Sequence, residues 1–183
     1  MDTVDYGPLT ALIGTWTGDK GMDIAPESSG TEENPYYETL TFDAAGELSN
    51  AEEQKLSVLR YHQVVRRKSN DEVFHDQSGY WMWDQQAQTV MHSFVIPRGV
   101  ALVAGGEADI NSQGELEINV NAKDGSEWGI AQSPFMAEKA RTIEFSHSIT
   151  LIDNTLNYLE KTLLDIYGGL FDHQDSNTLT RSQ

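Results

Sequence analysis

The chain contains no cysteine. That excludes disulfides, thiolate metal sites, Fe–S clusters and covalent haem attachment through Cys-x-x-Cys-His. Basic residues are scarce as well: 12 Lys+Arg stand against 29 Asp+Glu, a formal net charge of -17. Such an excess repels phosphate backbones and anionic head groups, so neither nucleic acid nor a membrane surface is an expected partner. No apolar run approaches a membrane span. Met1-Asp2-Thr3-Val4-Asp5 lacks the basic and apolar regions of a signal peptide, and a cytoplasmic location is the expectation. Convincing helical periodicity is missing between the turn signals, which disfavours parallel α/β folds. Neither a Rossmann nor a P-loop glycine pattern occurs, and no Gly-x-Ser-x-Gly elbow supports a hydrolytic triad.

What is present reads as strands and tight turns. With 183 residues, 38% hydrophobic and 22% charged, the chain is long enough for a real core and is expected to form one domain over residues 1–183. Pro8 to Ile13 suggests a short helical turn leading into Gly14-Thr15-Trp16-Thr17-Gly18, whose glycines allow close backbone approach around one large ring. Asp23 to Pro35 reads as a long loop. Strands follow at Tyr36–Phe42, closed by a turn at Asp43–Gly46, then at Glu53–Arg67, Glu72–Trp83, Thr89–Ile96, Val100–Ile110 and Glu115–Ala122. Glu127 to Met136 is ambiguous. Arg141–Ile152 and Thr155–Tyr167 form a final hairpin across Asp153-Asn154. The pattern predicts an all-β fold, an antiparallel up-and-down barrel of about ten strands like the lipocalins, of a size that encloses one small ligand.

The histidines are the first candidates for contact with that ligand. His147 lies on the apolar face Ile143, Phe145, His147, Ile149, Leu151, where a neutral histidine bonded within the core is the plainer reading. His92 shares a face with Val90, Phe94 and Ile96, and His75 lies on the neighbouring strand. His62 reads as solvated or paired. His173 follows the last long strand in Phe171-Asp172-His173-Gln174-Asp175. There it is either a loop histidine satisfied by Asp172 or Asp175 or a group reaching the ligand. Arg98, in Pro97-Arg98-Gly99, would hold a carboxylate in a bidentate fork or else pack on Trp81 or Trp83.

Several pieces together carry a resemblance: Leu12-Ile13-Gly14-Thr15-Trp16-Thr17-Gly18, Ser78-Gly79-Tyr80-Trp81, and a C-terminal histidine followed by Leu179 and Arg181. The chain resembles the nitrobindin-like, fatty-acid-binding-protein-like family of haem-binding β-barrels. It is closest to a bacterial branch with Phe74-His75, Pro97-Arg98-Gly99, Asp165-Ile166-Tyr167-Gly168 and His173-Gln174-Asp175. The resemblance implies non-covalent haem b on His173, open to small gases, and peroxynitrite isomerisation where haem is bound. Asp172 or Asp175 would orient the imidazole, and Tyr80, His75, His92 and His147 would line or support the cavity. The alternatives are a haem-free carrier of a fatty-acid-like carboxylate gripped by Arg98 and a tyrosine, and an enzyme that uses a histidine as general base on a small apolar substrate. The partner expected is a small hydrophobic ligand, with a homodimer left open.

Overall fold

Alternation at strand period sets the architecture. Leu116, Ile118, Val120 and Ala122 are buried while Glu117, Asn119, Asn121 and Lys123 between them are exposed. Phe145, His147, Ile149 and Leu151 are buried in the same way. A strand with one apolar face must cover it, and a sheet closed on itself does so without leaving an edge. The computed structural model describes residues 4–182. Its strands are β1 (Gly14–Glu27), β2 (Gly30–Asn50), β3 (Gln54–Arg67), β4 (Val73–Asp84), β5 (Thr89–Ile96), β6 (Val100–Ile110), β7 (Leu116–Lys123), β8 (Ile130–Gln132), β9 (Ala140–Ile152), β10 (Thr155–Ile166) and β11 (Gly169–Arg181). Ten of them form an antiparallel ring in the order β5-β4-β3-β2-β1-β11-β10-β9-β7-β6, closed by β5 pairing with β6. Short β8 pairs with Val100–Leu102 of β6. Its Gln132 side chain donates to the Thr142 carbonyl and accepts from the Thr142 N–H, so one amide joins it to β9. A helical turn, α1 (Pro134–Lys139), follows with Ser133 as its cap. No helix among the described residues is long and apolar enough to cross a membrane.

One end of the ring is plugged. The expected N-terminal helical turn is a 3-10 helix, Gly7–Leu12, that buries Pro8, Leu9 and Leu12. Trp16 is fully buried beneath it and donates from Nε1 to the Leu12 carbonyl at 2.8 Å. Arg181, from the last strand, lays its guanidinium over the Trp16 ring at 4.2 Å and donates to the carbonyls of Ala11 and Ile13. The 3-10 plug and the end of β11 are thus fastened to each other at the closed end.

Three local expectations change. Asp23 to Pro35 is a hairpin rather than a long loop: β1 runs to Glu27 and β2 begins at Gly30. Pro26 lies beyond the last β1–β11 pair, Ile24↔Gln174, where a missing donor is tolerated. Asp43–Gly46 is a bulge inside β2, with Ala45 as the extra, unpaired residue and Gly46 at φ +94 beside it, and the chain turns only after Asn50. The hairpin across Asp153-Asn154 is not the last one. Tyr167 and Gly168, both at positive φ, turn the chain into β11, which pairs with β10 and β1 and closes the ring. His173 therefore lies within a strand, not in a tail after one.

Candidate functional site

Away from the plug the inner face becomes polar. Cross-strand pairing aligns Asn34 of β2, Asp23 of β1, Asp175 of β11, Glu160 of β10 and His147 of β9 as successive neighbours. Direct neighbours in an antiparallel sheet hold their Cβ atoms within about 5.5 Å, so three carboxylates are forced side by side. His173 stands two residues from Asp175 on the same strand and the same face. Its Nε2 is 2.7 Å from Asp23 Oδ1 and 3.5 Å from Asp175 Oδ2. Asn34 donates to the other Asp23 oxygen at 2.9 Å. His147 places Nδ1 3.3 Å from Glu160 Oε2.

The charges respond to this crowding. Burial opposes protonation of His173, but the hydrogen bond to Asp23 and the nearby Asp175 outweigh it and hold the imidazole above its usual value. Burial lifts Asp175 to about 7, with His173 opposing and Asp23 and Glu38 reinforcing the rise. Burial also lifts Glu160 to about 8, with Asp175 adding to it. A third acid, Glu38, is raised by burial despite accepting from Gln63, Asn177 and Tyr158 at 2.6, 2.7 and 2.8 Å. The Tyr36 hydroxyl lies 2.6 Å from that of Tyr158, extending a saturated structural network beneath the His173 group.

Of the residues singled out in the sequence, His173 joins this inner-face group and His75 is near it. His75 is pushed down by burial and also feels His173 and Asp23, while its Nε2 meets Gln77 at 3.1 Å. His92 and His147 sit deeper, in an aromatic layer. His92 stacks on Trp81 at 4.0 Å, with Tyr61, Phe94 and His147 around it. Tyr80 does not line the interior: its neighbour Trp81 takes the inner face, so Tyr80 is turned outward and 47% exposed. It borders an outer groove of about 760 Å³ with Arg60, His62 and Val103. Arg98 is exposed in the β5–β6 turn, 3.5 Å from the Phe74 carbonyl. Asp172 is exposed as well, so of the two carboxylates considered as partners for His173 only Asp175 shares its face.

Asp23 and Glu160 were not visible as site residues. Asp23 falls in the stretch read as a loop. Glu160 had a usable signal, since it continues the inward series Leu156, Tyr158 at strand period. Chemically the group offers one imidazole and several carboxylates around one point, a donor set for a cation or for hydrogen-bond donors.

Residues 5–181 match the family model described as the THAP4-like, heme-binding beta-barrel domain. Among solved structures the chain is similar to the crystal structure of Rv2717c from M. tuberculosis. The TM-score is 0.72 at 18% identity, covering 98% of this chain and 100% of that one, a likeness of fold. No curated protein matches the chain.

Proposed function

The chain belongs to the THAP4-like haem-binding β-barrel family, and from that premise we propose that its barrel binds a small ligand non-covalently at the end opposite the Trp16 plug, with His173 as the central contact. The observation that carries this reading is the convergence of His173, Asp23 and Asp175, from opposite ends of the chain, on one inner-face point. Side chains there are a quarter exposed at His173 and Asp175, so the group is reachable from solvent.

Haem b, the cofactor the family suggests, does not suit these residues. A porphyrin ring on Nε2 of His173 would have to occupy the space where Asp23 and Asp175 already stand, 2.7 and 3.5 Å from that nitrogen. A porphyrin also needs apolar walls and a counter-charge for its propionates. The surroundings here are Asp23, Asp175 and Glu160, in a chain of net charge -17. A fatty-acid carboxylate meets the same repulsion, and Arg98 stands outside to no effect. The ligand class that suits the site is a small cation or a group rich in hydrogen-bond donors.

A titration with haemin, decanoate and 1,4-diaminobutane tests this, following histidine ring NMR signals and the Soret region. The diamine is expected to shift the His173 ring signals, and the other two to give no change that depends on His173. A saturable Soret band that disappears in His173→Ala would overturn the reading in favour of haem.

A further inference from the structure

We propose that Asp23, His173 and Asp175 form a binding site for a first-row divalent cation of the Zn2+ or Mn2+ class, a deepening that rests on the cation-binding reading above. The three donor atoms, one from each residue, lie within 4.8 Å of one another. With metal–donor bonds of about 2.1 Å, the 2.7 and 3.5 Å edges from His173 Nε2 subtend roughly 80° and 110° at a central ion, the first near an octahedral and the second near a tetrahedral angle. One imidazole and two carboxylates are a borderline-to-hard donor set, which favours Zn2+, Mn2+ or Fe2+ over soft ions.

Charge points the same way. A single Nε2 faces both carboxylates, and one N–H cannot serve oxygens at 2.7 and 3.5 Å equally. A neutral imidazole, two carboxylates and a divalent ion sum to zero, so the group would hold no uncompensated charge. Asn34, donating to the second Asp23 oxygen, leaves Oδ1 directed at the group and fixes the ligand's orientation from behind.

A separate observation concerns His147, at the end of the same row. It is only 7% exposed, its Nδ1 lies 3.3 Å from Oε2 of Glu160, the neighbour of Asp175, and its Nε2 is buried without a hydrogen bond. Glu160 thereby stands between His147 and the proposed ion, as a second carboxylate behind Asp175. Only His173 and Asp175 are substantially exposed, which leaves a route for the ion and open positions for water or ligand.

The test uses the metal-free full chain, Co2+ as a spectroscopic probe, and Zn2+ and Mn2+ in calorimetry. Expected is one ion per chain, visible d–d bands from a nitrogen–oxygen donor set, and a fall in affinity of at least tenfold in both Asp175→Asn and His173→Gln. His62→Gln, at the exposed His62–Asp76 pair, serves as the control and is expected to bind like wild type. Asp175→Asn keeps the shape of the side chain, and thermal melts establish that each variant is folded. Binding that is indifferent to Asp175→Asn and His173→Gln, or equally weakened by His62→Gln, would overturn the site. No metal binding with diaminobutane still shifting the His173 signals would overturn the metal proposal and leave the broader reading standing. Failure of both probes would remove both.

Discussion

His92→Phe tests whether the aromatic layer is sealed. His92 is fully buried, lies directly across from Trp81, and has neither ring nitrogen paired. A neutral imidazole keeps one N–H, and burying that donor without a partner costs about 1–3 kcal/mol. Burial pushes the His92 pKa well below the ordinary value, and His147 beside it adds to the drop. The folded protein therefore refuses a proton that the unfolded chain accepts at about pH 6.5. The stability tied to this group is complete above that pH and is lost as the pH falls. At about pH 5 the unfolded chain gains about 1.5 units of protonation free energy at about 1.4 kcal/mol per unit, or about 2 kcal/mol. Phenylalanine removes the penalty, at a packing cost of up to about 1–3 kcal/mol that does not vary with pH. Urea unfolding of wild type and His92→Phe at about pH 7.5 and about pH 5 separates the two effects, because the packing cost cancels in the difference. The variant's stability relative to wild type is expected to improve by about 2 kcal/mol at the lower pH. A gap that moves by less than about 0.5 kcal/mol would show that His92 takes up its proton in the folded protein, and the sealed layer would have to be abandoned.

Two other substitutions probe the wall and the plug. Trp16→Ala removes a fully buried ring and its bond to the Leu12 carbonyl, and chemical denaturation is expected to show a loss of about 3–5 kcal/mol. Gly79→Ala would bring its new Cβ to 1.9 Å from the Ser93 carbonyl oxygen and 2.7 Å from the Phe94 Cα. Both are backbone atoms of β5 that cannot rotate aside, so a loss of at least about 3 kcal/mol is expected, read as soluble yield and urea midpoint. Wild-type behaviour of either variant would contradict the packing described for that position.

Local signals in the sequence determined more of the barrel than of the site. Turn residues delimited most strands, including Thr89–Ile96 and Val100–Ile110 with their observed bounds, period-two alternation marked Leu116, Ile118 and Val120, and the glycines flanking Trp16 marked the plug. Those features depend on neighbours in the chain. Tyr80, expected from the sequence to line the cavity, faces out because Trp81 beside it takes the inner side, and adjacent residues on a strand take opposite sides. β11 escaped because the alternation it carries is polar on polar. Its inner face is His173, Asp175, Asn177 and its outer face Asp172, Gln174, so no hydrophobic period distinguishes the two. The site itself was decided only by tertiary structure. Asp23 and His173 are 150 residues apart and meet because β11 returns to pair with β1, and the register Asp23↔Asp175 and Glu160↔Asp175 decides which inward groups touch. A sequence pattern tells which way a side chain faces. Which strand lies beside it, and in what register, is set by closing the ring.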